Sequence, residues 1–302
     1  MSHTGGSTEG ARRPSGYRLG VIDLHTHSVV SDGTDQPAAV VELAARAGCG
    51  AVALTDHDSQ AGTEEAGARA SELGIEFVPG CEVSCAFRGT SAHVLVYFAE
   101  RDGGPFAAEL ARLRHDRVTR NRAMVARLAE LGIPITYDEV LAEASSEEGV
   151  GRPHFGAVLV RHGAAESIPD AFDRWLAEGR PAHVPKARVT PSEVAALARS
   201  SGGVAVLAHP YSLNLEPDDL ADAVAELAGD GFAGIEAIYG RYSPDQRQRL
   251  VNLARRFDLV ATGGSDYHGL VKPDLTVGTG QGDLKVPDAV LAELKARRPA
   301  AP

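Results

Sequence analysis

Val21-Ile22-Asp23-Leu24-His25-Thr26-His27 is an apolar run that ends in two histidines one residue apart. Side chains two apart on a strand share a face, so His25 and His27 can present two imidazoles to one ion. The pattern recurs along the chain. Residues 51–55 lead into Asp56-His57-Asp58, and 75–80 into Cys81-Glu82. Near the C-terminus, 203–208 reach His209-Pro210, and 259–262 run through Gly263-Gly264-Ser265 to Asp266-Tyr267-His268. Five apolar runs that each deliver His, Asp or Glu at their C-terminal ends predict a barrel-type α/β fold with its chemistry at one rim.

Helical and extended stretches alternate around these runs. A helix is expected from Gln36-Pro37 to Gly48, a second over 62–73 closed by Gly74, and strands over 51–55 and 75–78. Such spacing predicts βαβ crossovers and a mostly parallel sheet. The strand 91–98 carries His93 at its beginning, which predicts an antiparallel strand or entry to the site from a different side. From 105 to 186 helical periodicity dominates. One long amphipathic helix spans 106–131, with Leu110, Leu113, Val118, Met124, Val125 and Leu128 as its apolar positions, and shorter helices follow near 138–144, 154–162 and 169–178. This block reads as a helical insertion that caps the rim, between barrel segments 17–104 and 187–302. Alternation resumes after Thr190-Pro191-Ser192-Glu193, a capping box with proline at the first helical position.

Composition narrows the function. The 302 residues carry a net charge of −11, which argues against a broad grip on duplex DNA or an anionic membrane. No apolar stretch is long enough to span a bilayer. Residues 1–16, rich in Ser, Gly and Arg, read as a disordered tail without the apolar core of a signal peptide. Cys49, Cys81 and Cys85 are too few for a disulfide framework and suit a reducing cytoplasm; Cys81 and Cys85 read as small buried thiols. Oligomeric state stays open.

The ordered set His25-x-His27, Ser31-Asp32-Gly33, Thr55-Asp56-His57-Asp58, Gly80-Cys81-Glu82-Val83-Ser84, His93, Arg152-Pro153-His154, Ala208-His209-Pro210 and Gly264-Ser265-Asp266-x-His268 resembles the PHP family, named for polymerase and histidinol phosphatase. The resemblance covers about 17–269. It implies a distorted, TIM-like (β/α)7 barrel, a trinuclear metal site and hydrolysis of phosphate esters. The insertion and Arg152-Pro153-His154 resemble the branch that acts on nucleoside 3′,5′-bisphosphates and on short RNA 5′ ends. Carried onto this chain, the resemblance implies one metal held by His25, His27, Glu82 and Asp266, a second by Asp32, His57 and His268, and a third by Glu82, His93 and His154. Hard carboxylates with imidazoles suit two or three divalent ions such as Mn²⁺, Fe²⁺ or Zn²⁺.

Other residues carry open alternatives. His209 reads as a phosphate contact or leaving-group acid, or equally as a hydrogen-bonded positioner. Asp56 is a direct ligand or a carboxylate that orients an imidazole. Arg152 reads as a bidentate phosphate clamp. On the long helix, Arg112, Arg114, Arg117, Arg120, Arg122 and Arg127 read as a phosphate-facing stripe or as ordinary solvated helix formers; Arg117, Arg120 and Asn121 resemble positions that recur on this helix in the same branch, and that resemblance implies Arg117 and Asn121 as substrate contacts. The expected substrate is a small phosphorylated molecule, a nucleotide or short RNA. Histidinol phosphate is the second reading. A non-catalytic metal-binding module is the third, and the filled ligand positions speak against it.

Overall fold

The computed structural model describes residues 21–144, 146–147, 149–185 and 189–300. The expected tail lies outside this range, as does residue 187, where the second barrel segment was expected to begin. The chain runs β1 (Val21–Asp23), α1 (Pro37–Arg46), β2 (Cys49–Leu54), α2 (Thr63–Leu73), β3 (Glu76–Phe87), β4 (Thr90–Tyr97) and α3 (Pro105–Glu130). Next come α4 (Tyr137–Leu141), α5 (Arg152–Arg161), α6 (Ile168–Ala171) with a π-turn over Phe172–Leu176, and α7 (Pro191–Ser200). The rest is β5 (Val204–Leu207), α8 (Pro217–Gly229), β6 (Gly234–Tyr239), α9 (Pro244–Arg256), β7 (Val260–Gly264), β8 (Val286–Pro287) and α10 (Ala289–Ala296).

Hydrogen-bonded strands follow the order β7-β6-β5-β4-β3-β2-β1-β8. Pairing is parallel through β1-β2-β3 and through β5-β6-β7, whereas β4 is antiparallel to both β3 and β5. Backbone bonds across the seam, from Leu24 N–H to Gly263 O at 3.2 Å and from Asp266 N–H to His25 O at 2.8 Å, bring β7 against β1 and nearly close the barrel. The fold is thus the distorted TIM-like α/β barrel read from the sequence. Near-continuous apolar runs such as Val204–Leu207, buried on both faces, have the composition of strands with helices outside and packed side chains inside.

One strand differs from expectation. β3 does not stop at residue 78 but continues to Phe87, and Arg88-Gly89, both at positive φ, turn it back into β4. Two-residue hairpin loops need that left-handed backbone, which glycine adopts freely and arginine rarely. Glu82 therefore sits inside a strand and not at its end, and the register pairs Ser84 with His93.

Helix α3 buries Phe106, Leu110, Leu113, Arg117, Asn121, Met124 and Leu128 along one face. Its lower part packs on the barrel. Its upper part joins a separate apolar cluster of Met124, Leu128, Val140, Phe155, Leu159 and Leu176, so the helices between β4 and α7 have a core of their own. The capping box at Thr190 forms as expected, with Glu193 N–H donating to the threonine hydroxyl and the glutamate accepting from Thr190 N–H at 2.7 Å. Among the described residues no helix is long and apolar enough to cross a membrane.

Candidate metal centre

His25 and His27 leave β1 with their Nε2 atoms 3.1 Å apart. The other nitrogen of His25 lies 2.8 Å from Glu236 Oε1, a bond in which Nδ1–H donates to the carboxylate. That tautomer leaves Nε2 with a bare lone pair aimed into the cluster. Glu82 Oε2 lies 3.2 Å from His25 Nε2 and 3.1 Å from His27 Nε2, and Asp266 Oδ1 lies 3.4 Å from each. These four fully or almost fully buried groups converge on one point, with donor atoms mutually within 4.8 Å.

Two further groups of donors adjoin the first. His27, Asp32, His57 and His268 form one, with His268 Nε2 at 3.3 Å from Asp32 Oδ1. Glu82, His93 and His209 form the other, with both imidazoles about 3.0–3.1 Å from Glu82 Oε1. Of the expected ligands, eight fall into these groups. The ninth does not: His154 accepts the Gly151 N–H on Nδ1 at 2.9 Å in the first turn of α5 and stands outside all three. His209, read from sequence as a phosphate contact or acid, occupies the place beside Glu82 and His93 where His154 was expected.

The donor set fits divalent cations. His57 Nδ1 is buried 3.3 Å from Glu82 Oε2, yet in an orientation that makes no hydrogen bond, which leaves a ring nitrogen without a proton-sharing partner. Charges tell the same story. Burial opposes ionising Glu82, but the imidazoles of His93, His57 and His25 hold it well below the usual carboxylate range. Asp32 and Asp266 are likewise held low against burial, Asp32 by His57 and His268, and Asp266 by Lys272 and His25. In return, and despite burial, the carboxylates raise His27 to about 9 and put His25 well above its ordinary value. The raised imidazoles and lowered carboxylates both mark a place where the acids favour positive charge. Burial, helped by the neighbouring His27 and His93 and opposed by Glu82 and Asp32, carries His57 the other way, to about 3.

Several residues that build the site were not read from the sequence. Glu236, inside the apolar strand β6, also accepts His209 N–H at 2.8 Å and so positions two imidazoles. A glutamate within such a run was the available signal, since buried acids are rare without partners. Tyr239 donates to Asp266 Oδ2 at 2.7 Å, and Lys272 Nζ contacts the same oxygen. Asp23 accepts backbone N–H groups of His25, Ser265 and Gly278 at 2.7–3.2 Å, which stitches the seam beneath the histidines. A Cβ on Gly264 would lie 2.4 Å from His25 N, so only glycine lets β7 approach that strand. His209 and Asp266 adopt positive φ of 25° and 56°, strain that the bonds from His209 N–H to Glu236 and from Asp266 N–H to His25 O hold in place.

Asp56 reaches an imidazole only through Ser31, whose Oγ lies 3.4 Å from His27 Nδ1. It accepts from Ser28 N–H and Oγ and from Ser31 Oγ at 2.7–2.8 Å, and thereby fixes the loop that carries Asp32. The arginine stripe on α3 divides. Arg112, Arg122 and Arg127 pair with Glu109 and Asp116, Glu147, and Glu130 on the solvated side. Arg117 and Arg120 instead line a cavity of about 210 Å³ beside Asp32, His57 and His93, together with Arg152 and Phe172. Arg117 is paired there with Asp58, and Arg152 lies over the Phe172 ring. Asn121, expected to meet substrate, is fully buried and donates to Val150 O at 2.8 Å; it ties α3 to the segment before α5.

A barrel rim that gathers imidazoles and carboxylates beside an arginine-lined cavity defines the class of metal-dependent phosphoesterases, and comparison with known proteins agrees. The PHP domain profile matches residues 23–179. A 3′,5′-nucleoside bisphosphate phosphatase of Chromobacterium violaceum is 32% identical over 92% of this chain and 99% of its own. A 5′-3′ exoribonuclease of Haemophilus influenzae is 32% identical over 82% of this chain and 89% of its own. A solved structure from Bifidobacterium adolescentis, assigned as a metal-dependent phosphoesterase, superposes with a TM-score of 0.82 at 33% identity, covering 94% of this chain and 98% of that one. The chain belongs to the PHP domain family.

The buried Glu236 supplies a direct check on the centre. Glu236→Gln keeps the shape but weakens the acceptor that orients His25, so metal affinity is expected to fall about 10- to 100-fold, the usual cost of losing such a partner. Titration against a chelator measures this. An unchanged affinity would mean that Glu236 serves the fold alone.

Proposed function

We propose that the protein removes the 3′-phosphate of nucleoside 3′,5′-bisphosphates, releasing the 5′-monophosphate, and that it attacks the same P–O3′ bond at the end of short 5′-phosphorylated RNA. The observation that carries this reading is the cavity lined by Arg117, Arg120 and Arg152 next to the donor cluster. A single phosphate at the cluster needs no second cationic site. A substrate with two phosphates does, and guanidinium forks suit the terminal one.

The named residues divide the labour. His25, His27, Glu82 and Asp266 would hold one divalent ion, His27, Asp32, His57 and His268 a second, and Glu82, His93 and His209 a third. Mn²⁺, Fe²⁺ and Zn²⁺ all suit these donors. Bound there, such ions would supply a water molecule of lowered pKa and polarise the oxygens of the phosphoryl group whose phosphorus that water meets. Asp58 fixes Arg117, which with Arg152 and Arg120 clamps the 5′-phosphate and places the 3′-phosphate over the cluster. The helices between β4 and α7 act as a cap that carries this clamp. His209 is a ligand in this scheme, not the acid for the leaving oxygen. Three buried free thiols accord with a reducing, cytoplasmic setting.

Histidinol phosphate, the competing substrate, lacks the second phosphate. The ratio of kcat/KM for adenosine 3′,5′-bisphosphate over histidinol phosphate is expected to exceed about 100, from charge-assisted bonds worth about 1.5–3 kcal/mol each. A ratio at or below one would replace the nucleotide by the amino-alcohol phosphate.

A further inference from the structure

A second cavity, of about 460 Å³, meets the arginine cavity at His57 and His93 and reaches across Glu82 and Asp266 to the loops that follow β5, β6 and β7. Its outer wall is aromatic. Tyr211 and Tyr242 are half-buried, their ring centroids are 5.0 Å apart at 68°, and Tyr239 continues the series 4.7 Å from Tyr242. Tyr211 N–H donates to the Tyr242 hydroxyl at 2.9 Å, which fixes that ring. Arg241, bound to Asp274, and Lys272, in contact with Asp266, add positive charge to the same wall.

We propose that this cavity is the subsite for the nucleoside downstream of the scissile phosphate, with its base stacked on the Tyr211–Tyr242 pair and its 3′ side toward Arg241. The inference rests on the reading that the arginine cavity takes the 5′-phosphate. With that end fixed, the first nucleoside spans from the arginines to the cluster, and the chain can continue only away from them, into the tyrosine-lined space. A 3′,5′-bisphosphate ends at the cluster and leaves this space unfilled. A 5′-phosphorylated dinucleotide fills it. Fixed aromatic faces with nearby cations are the general means of holding single-stranded nucleic acid, because every base has a face to stack.

The chemistry balances without any further reactant. Water oxygen bonds to phosphorus, the P–O3′ bond breaks, and O3′ takes up a proton as the 5′-mononucleotide departs. The phosphate stays on O5′ of the downstream nucleoside. The product strand therefore carries a new 5′-phosphate, the group the arginine cavity accepts, so the same site can take it again.

The test compares pAp with the dinucleotide pApA on metal-loaded enzyme, for the native chain, Tyr242→Ala and Tyr242→Phe. Native enzyme should release 5′-AMP from both. Tyr242→Ala should lower kcat/KM for pApA by about tenfold or more, the effect of removing one stacking partner, mostly through KM, and leave pAp within about twofold. Tyr242→Phe, which keeps the ring, should restore most of the loss. Turnover of pAp by each variant confirms that the centre is intact. Turnover of pAp without pApA, or equal losses on both substrates, would overturn the subsite and leave the bisphosphate reading standing. Silence on pAp itself would overturn both.

Discussion

Asp266→Ala enzyme, reconstituted with Mn²⁺, is expected to release phosphate at least about 10³-fold more slowly than the native chain, at the upper end of what one electrostatic group contributes in a preorganised site. The size follows from how many partners converge on that carboxylate. Its Oδ1 lies 3.4 Å from both His25 and His27, while its Oδ2 accepts from Tyr239 and Lys272. Deleting it removes a charge from the first donor group and leaves the Lys272 ammonium without its counter-charge. Metal content should fall with activity, and the far-ultraviolet circular dichroism should persist, because the backbone bond from Asp266 N–H to His25 O does not depend on the side chain. Residual activity within about tenfold of native would remove Asp266 from the centre.

Arg152→Ala is expected to raise KM for adenosine 3′,5′-bisphosphate by about 10- to 100-fold, since bonds to charged groups are worth about 1.5–3 kcal/mol. Turnover of p-nitrophenyl phosphate, which has no second phosphate, should change little. Arg152→Lys should restore only part of the loss, because an ammonium lacks the planar fork and the stacking on Phe172 that holds the side chain. An equal fall on both substrates would show that Arg152 supports the centre and does not grip the distal phosphate.

How much of this was legible beforehand varies with the physics. Some strand ends were legible because an apolar run stops just before a ligand residue, as where β2 gives way to Thr55-Asp56-His57 and β5 to Ala208-His209, but Glu82 lies inside β3, where the run gave no such sign. Helix α3 was legible from its period, although Arg117 and Asn121 stand in its buried stripe, and Val118 and Val125, expected among its apolar positions, are only half-buried. Arg117 and Asn121 explain the mixed outcome there. Both were singled out for substrate, but the fold gives Asn121 a backbone partner and leaves only Arg117 at the cavity.

The exchange of His154 for His209 has a different origin. Local sequence tells that an imidazole follows a strand or opens a helix, but not which of two will reach Glu82 across the barrel. The antiparallel β4 decides it, since it sets His93 beside β5 and thereby beside His209, with the two rings 5.2 Å apart. Glu236, Tyr239 and Lys272 were missed for a related reason. Their value lies in what they touch from β6 and the loop after β7, and no spacing within the chain announces those contacts.

The central claim is that the arginine cavity fixes the 5′-phosphate and so delivers the 3′-phosphate to the donor cluster. The product formed from adenosine 3′,5′-bisphosphate by Mn²⁺-reconstituted enzyme tests it most directly, read by chromatography against both monophosphates. The account predicts inorganic phosphate and 5′-AMP. Accumulation of 3′-AMP would place the 5′-phosphate over the cluster and contradict it.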